Sequence, residues 1–344
     1  MRSRSVFRGL LGVVGLSILG LTALAGQAIA ADRLRVRLDW VPWGNEAAYH
    51  LAQQRGLYEK FGLDVSFDDG NGSVTTLQIV GNGEYDLGQT VLALVAVGRS
   101  KGLPVKAIAG FVQKNDLGLL VPKDSGIRSA ADLKGRKVVF TAGSLETPFL
   151  DRFLASGHLT RNDLELLNVD GSAKAGMYVM NRADAVFSST SFLLALVDAK
   201  RPTTSIRFAD VGLQFPSFGL FATEKSLAAK HDALRRFASV SAGAWKFIFD
   251  GHEDAGMTAT LAARPQAKLD PQILRKQIET LKEYAYTDAS RGLVFGTMAL
   301  SDWEQAVATL SEAGVLEKPV APADVYTNDL IDPGIVAEVA ASLK

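Results

Sequence analysis

The chain has 344 residues, 47% of them hydrophobic, with 37 basic and 37 acidic side chains and a formal net charge of zero. That balance lacks the basic surplus of a nucleic-acid surface, so nucleic acid is not expected as a partner. Cysteine is absent, which excludes disulfides, thiolate metal sites, cysteine nucleophiles and lipid attachment through an N-terminal cysteine.

Residues 1–30 read as a cleavable signal peptide. Arg2, Arg4 and Arg8 form a positive start, residues 9 to 25 are apolar or small, and Ala28-Ile29-Ala30 supplies a cleavage site. The apolar run is short for a membrane-spanning helix. Together with the missing cysteine, this predicts a protein released into a Gram-negative periplasm. Its four histidines, His50, His158, His231 and His252, are scattered without paired ligand spacing, so no metal site is expected.

The mature chain opens with a strand at Leu34–Leu38, which runs into the Pro- and Gly-containing loop Asp39-Trp40-Val41-Pro42-Trp43-Gly44-Asn45. A helix is predicted from Ala47 to Tyr58, a strand from Leu63 to Phe67, and a helix from about Val74 to Val80 after Gly70-Asn71-Gly72-Ser73. Gly83 to Thr90 contains a short strand leading into a helix near 91–100. Val105–Phe111 and Leu117–Val121 follow as buried strands. Such alternation argues for a parallel α/β sheet.

From Pro122 the pattern restarts. A capping box at Ser129–Asp132 precedes a strand at Lys137–Thr141, a helix at 146–156, a strand at Leu164–Val169, and another at Arg182–Ser188. Aligning Asp86 with Asp184 sets two short acidic-apolar strands against each other, which suggests two lobes on related plans. After Phe218–Thr223 the chain reads as helices at 225–250, 254–262, 271–284 and 301–313, the last opened by a capping box at Ser301–Glu304. The expected division is residues 31–118 with 219–344 as lobe I and 119–218 as lobe II. The hinge is expected near 115–122 and 216–223, where two crossings permit closure on a ligand.

Ligands of open parallel sheets lie beyond the carboxyl ends of strands. That rule selects the loops at 39–46, 70–75, 88–90, 111–115, 142–147 and 188–191. The candidate binding residues are Trp40, Trp43, Asn45, Tyr49, Ser73, Thr75, Gln89, Thr90, Phe111, Ser144, Glu146, Thr147, Asp184 and Ser188. Trp40 and Trp43 offer flat faces for a planar ring. Trp40, beside a strand, serves a core equally well, whereas Trp43 between proline and glycine is harder to bury. Ser73, Thr75, Ser144 and Thr147 lie near helix starts, where hydroxyls and backbone N–H groups hold anionic or carbonyl oxygens or simply cap the helix. Gln89 and Thr90 offer neutral hydrogen bonds. Glu146 either accepts from a ligand amino group or favours its helix start. These loops carry no arginine, which argues against a strongly anionic ligand.

Two stretches, Leu38-Asp39-Trp40-Val41-Pro42-Trp43-Gly44-Asn45 and Gly56-Leu57-Tyr58-Glu59-Lys60-Phe61-Gly62-Leu63-Asp64-Val65, resemble the opening of ABC-importer binding proteins for thiamine-precursor pyrimidines, sulfonates, taurine and nitrate. Gly83–Gly88 and Ala130–Val138 match the same superfamily. The resemblance covers about residues 33 to 220. It implies a type II periplasmic-binding-protein fold: α/β, two lobes, each a mixed and mainly parallel sheet flanked by helices, with the ligand between them. The L-D-W opening is most similar to the pyrimidine branch, which implies ring stacking on Trp40 and Trp43 with Asn45 as a polar contact. The resemblance further implies a monomer that takes a small-molecule ligand, needs no cofactor, and partners permease and ATPase subunits. An anion-binding protein and a ligand-delivering sensor subunit are the alternatives. Similar fungal enzymes carry a cysteine-rich iron motif and a cofactor-bearing lysine. This cysteine-free chain is expected to catalyse nothing.

Overall fold

A computed structural model describes residues 31–344; the expected signal peptide lies outside them. Ten strands form two five-stranded sheets. The first contains β1 (Asp32–Arg37), β2 (Leu63–Asp68), β3 (Leu87–Val91), β4 (Val105–Gly110) and β10 (Phe218–Thr223). The second contains β5 (Leu117–Pro122), β6 (Lys137–Phe140), β7 (Glu165–Asn168), β8 (Ala185–Ser189) and β9 (Thr203–Arg207). The strand orders are β2-β1-β3-β10-β4 and β7-β6-β8-β5-β9. These orders superimpose, with β1 matching β6, β3 matching β8, and β10 matching β5.

Each sheet is mixed. β1 pairs in parallel with β2 and β3, while β10 runs antiparallel to β3 and β4. In the second sheet β6 is parallel to β7 and β8, and β5 is antiparallel to β8 and β9. The antiparallel member in each case arrives from the other lobe, so it enters its sheet from the cleft side. The chain passes between sheets at 111–116 and 208–217. Residues 117–122 and 218–223, inside the expected hinge, are central strands instead, because their apolar runs pair on both edges.

The Asp86–Asp184 correspondence has a physical basis. Asp86 accepts the Arg35 backbone N–H at 2.8 Å and Asp184 accepts that of Lys137 at 2.8 Å. Each carboxylate thus takes a backbone donor from the matching strand, from within β1 in one sheet and from the first residue of β6 in the other.

The helices are α1 (Ala47–Gln54), α2 (Leu57–Lys60), α3 (Ser73–Gly81), α4 (Ala93–Ser100), α5 (Leu150–Ala155), α6 (Lys174–Val179) and α7 (Thr190–Val197). After β10 come α8 (Glu224–Phe249), α9 (Glu253–Ala263), α10 (Pro271–Glu283), α11 (Leu300–Glu312), α12 (Pro322–Val325) and α13 (Pro333–Ser342). The helix expected over 47–58 is two, divided at Gly56, whose φ of 62° breaks the helix. The expected capping box at Ser301 does not form. Helix α11 begins at Leu300 with Ala299 at its N-cap, and Asp302 instead accepts from the Thr287 hydroxyl at 2.6 Å. The box at Ser129 and Asp132 is present, on a single 3-10 turn.

Beneath the first sheet, Tyr49, Tyr58, Phe67 and Phe237 stack into an aromatic core. Helix α8 packs on β4 and β10, and α9 packs on α1. Among the described residues no helix is long and apolar enough to cross a membrane.

Candidate functional site

Strand ends from both sheets face each other across a cleft. The first sheet contributes Asp39, Trp40 and Trp43 beyond β1, and Phe218 at the start of β10. The second contributes Ser144 and Leu145 beyond β6, Lys174 beyond β7, Ser188 and Ser189 at the end of β8, and Phe192 on α7. The space they enclose is about 10 Å³, near what one water molecule needs. The lobes are closed and aromatic side chains fill the cleft. A larger cavity of about 460 Å³ lies beside the interlobe crossings, against Asn115, Arg207, Asp210 and Tyr284. Its Arg207 and Asp210 are ion-paired at 2.7 Å, and Asn115 is bonded to Leu213 and Leu117. The interlobe cleft, by contrast, holds buried polar atoms with no protein partner, groups that a bound ligand would satisfy.

The foremost of these atoms is Asp39 Oδ1, which has no hydrogen bond. The second oxygen accepts from the Ser73 hydroxyl at 2.8 Å. Burial pushes the Asp39 carboxyl up to about 7; the Ser73 bond opposes the rise and the nearby Asp116 carboxyl adds to it. The indole N–H groups of Trp40 and Trp43 are also buried without acceptors.

Both tryptophans meet Phe192 of the second lobe, and each has further contacts of its own. Trp43 packs edge-on against Phe192 at 5.3 Å and Phe218 at 5.6 Å between ring centroids. Trp40 is edge-on to Phe192 at 6.3 Å. Its ring lies against the backbone of Gly171, where any Cβ would collide with it. Lys174 Nζ stands 5.6 Å from its centroid, within cation–π range.

Lys174 is the only cation in the lining, and it is already engaged. It donates to Glu146 Oε1 at 2.6 Å and to the Phe187 carbonyl at 3.0 Å, with both ion-pair partners about 1% exposed. Glu146 Oε1 also accepts from the Thr141 N–H at 3.0 Å. Glu146 therefore faces the lysine and its own loop.

At one edge of the cleft the lobes touch through backbone. Gly143 O accepts from Val74 N at 3.1 Å and Thr75 N at 3.3 Å, so the first turn of α3 is capped from the opposite lobe. Gly72 and Gly143 permit this approach. Gly143 has φ of 77°, and a Cβ there would stand 2.7 Å from Thr75 Oγ1; a Cβ on Gly72 would strike the Gly143 carbonyl. These N–H groups are spent on protein, which removes the anion pocket expected from Ser73 and Thr75.

The remaining expected residues divide by position. Ser144 and Ser188 join Trp40 and Trp43 in the cleft lining. Ser73 holds Asp39, Thr90 donates to the Ser73 carbonyl at 3.1 Å, and Gln89 donates to Asn45 O at 3.0 Å. These residues brace the site from behind, as does Thr147, which bonds Thr141 O at 3.1 Å. The Asn45 side-chain amide is buried and unpaired. Tyr49 and Phe111 are core aromatics, packed with Phe237 and Phe295 respectively. Asp184 precedes β8 and lies at the end of that strand away from the cleft.

Asp39, Leu145 and Ser189 lie in loops that the sequence reading selects but are not among its named candidates, and Lys174, Phe192 and Phe218 lie outside those loops. Loop 169–173 satisfies the same strand-end rule and leads directly to Lys174. Phe218 escapes that rule because β10 is antiparallel, which puts its amino end at the cleft.

The paired sheets and interlobe cleft define a protein of the two-lobe periplasmic-binding-protein fold. The profile of the family described as NMT1/THI5 like matches residues 43–255, more than half of the chain, and the chain belongs to that family. It is 22% identical over 315 residues to the formylaminopyrimidine-binding protein of Halalkalibacterium halodurans, covering 89% of this chain and 93% of that one. It is 28% identical over 162 residues to a putative thiamine biosynthesis protein of Haemophilus influenzae, covering 47% of this chain; the match spans about half, 51%, of that relative. Among solved structures, the alkanesulfonate-binding protein of Xanthomonas axonopodis pv. citri superimposes with a TM-score of 0.65 at 16% identity, over 87% of this chain and all of that one. A desulfurization enzyme also shares the fold, with a TM-score of 0.56 at 17% identity over 91% of this chain and 100% of that one. At these identities the structural likeness concerns the fold alone, and function rests on the site.

Proposed function

We propose that the protein is the periplasmic solute-binding subunit of an ABC importer, and that it captures a thiamine-precursor-like pyrimidine by lobe closure without chemical conversion. The observation that carries this reading is the buried, unpartnered Asp39 Oδ1 beside two tryptophans. With Phe192 moved off the tryptophans, because the cleft as described has room for about one water, an aminopyrimidine would present ring faces to Trp40, Trp43 and Phe192 and donate an N–H to Asp39. Burying a carboxylate oxygen without a donor is costly, and such a ligand removes that cost. The residues contacting it would be Asp39, Trp40, Trp43, Ser144, Ser188, Ser189 and Phe192. The pyrimidine-binding relative from Halalkalibacterium supports the ligand class. The reading includes export through residues 1–30, a monomeric protein, and delivery to permease and ATPase subunits.

An aliphatic sulfonate fits this cleft less well. It would face Asp39 with Asp116 close behind, and the one lining cation is paired with Glu146. Thermal-shift screening discriminates, since a ligand that binds the folded form raises its melting temperature. We expect stabilisation by 4-amino-5-hydroxymethyl-2-methylpyrimidine, lost in Trp40→Ala and Asp39→Asn. Stabilisation by alkanesulfonates and not by pyrimidines would overturn the ligand class.

A further inference from the structure

One side chain from the C-terminal region reaches into the interlobe contact. Gln277, on α10, is 3% exposed. Its Oε1 accepts from Gly44 N at 3.1 Å, and its Nε2 donates to the Phe192 carbonyl at 2.9 Å. Gly44 follows Trp43 in the first-lobe loop, and Phe192 is the second-lobe ring that packs on both Trp40 and Trp43. A single amide therefore ties the loop carrying the tryptophans to the helix carrying the facing aromatic.

The approach is close on the backbone as well. A Cβ on Gly44 would lie 2.8 Å from Gln277 Cβ and 3.1 Å from Ile278 N. Helix α10 packs against α9 and the turn at 44–46, both in the first lobe, and also against α7 in the second. Because more of its contact is with the first lobe, α10 would stay there on lobe separation, keeping the Gly44 bond and losing the Phe192 bond. Only a side chain with both an acceptor and a donor makes the pair: glutamate would keep the first bond and lose the second, and leucine would lose both. Gln277 lies beyond residue 255, where the family match ends, and far in sequence from every residue that lines the cleft.

We propose that Gln277 is a positioning residue for ligand capture, a latch through which α10 holds Phe192 over the tryptophans in the closed form. It rests on the capture reading above in one respect, that closure encloses a ligand. A bond present only in the closed state stabilises that state selectively, and a ligand enclosed there leaves more slowly. The latch thus slows dissociation, and it does not stabilise the open form that first meets the ligand.

The test uses the full mature protein. Because the chain has no cysteine, Asn82→Cys in the first lobe and Lys134→Cys in the second, both exposed, give a clean pair of spin labels. Interlobe distances are measured in wild type, Gln277→Leu and Gln277→Glu, with circular dichroism to establish that each is folded. Dissociation of 4-amino-5-hydroxymethyl-2-methylpyrimidine is measured by stopped flow on the same proteins without labels. The expected result is a shift to longer interlobe distance in both variants, with dissociation about tenfold faster and association no slower than in wild type. A role confined to packing would lower the melting temperature while leaving distances and dissociation as in wild type, and that result overturns the latch. If no pyrimidine binds, the ligand reading fails. The distance distribution then decides the latch alone: unchanged distances refute it and longer ones support it.

Discussion

Asp39 is the group in the cleft with the most unmet chemistry. One oxygen is held by Ser73 and the other faces no donor, so the ionised form is disfavoured until a ligand supplies one. Its folded pKa of about 7 stands above the ordinary 3.8. Between those values the folded chain binds more protons than the unfolded chain, so this group's contribution to stability falls as pH rises from about 4 to about 7. Asp39→Asn should therefore gain on wild type with rising pH, by up to ~4 kcal/mol above pH 7. Denaturant melts across that range measure the difference, and a gap that stays constant with pH would contradict this account of Asp39. Of the cleft residues, Trp40, Trp43, Ser144 and Ser188 are legible in the sequence because strand-end loops announce themselves through proline, glycine and hydroxyl residues. The fate of Glu146 is not legible. Nothing local indicates that Lys174, distant in sequence, folds back onto it as a buried partner.

At the scale of elements, α3 and the Gly143 turn form the edge of closure opposite in character to Gln277, since here backbone meets backbone. Gly72 has φ of 153°, and its missing Cβ leaves room for the Gly143 carbonyl. Gly72→Ala should push the two apart, strip Val74 and Thr75 of their acceptor, and favour a more open form without unfolding either lobe. Small-angle scattering should report a larger radius of gyration for the ligand-free variant; an unchanged radius would show that this contact does not hold the lobes together. The helices that sequence periodicity locates well are long and amphipathic, such as α8 and α10. Where it errs, a single residue decides: Gly56 divides one expected helix, and at α11 the start shifts to Leu300, which puts Ser301 inside the first turn. The antiparallel sense of β5 and β10 is invisible to periodicity, because a buried strand reads the same in either direction.

For the whole molecule, the repeated strand order is the organising fact. Two sheets of the same plan exchange one strand each, β5 and β10, and the segments leading to those strands are bound together at the centre. Asp116 accepts from Ser217 at 2.7 Å and from Ser189, linking both crossings to the start of α7. The faint likeness between the strands at Asp86 and Asp184 is the sequence trace of this repeat. Its physical content is that each carboxylate accepts a backbone N–H of the matching strand, β1 or β6. The proposed function requires that such a frame close as two bodies around a flat nitrogen heterocycle. Calorimetric titration of the mature protein decides whether it does. We predict saturable one-to-one binding of 4-amino-5-hydroxymethyl-2-methylpyrimidine with a negative heat-capacity change from apolar burial, abolished in Trp40→Ala. Saturable binding of an alkanesulfonate, with no heat from the pyrimidine, would contradict it.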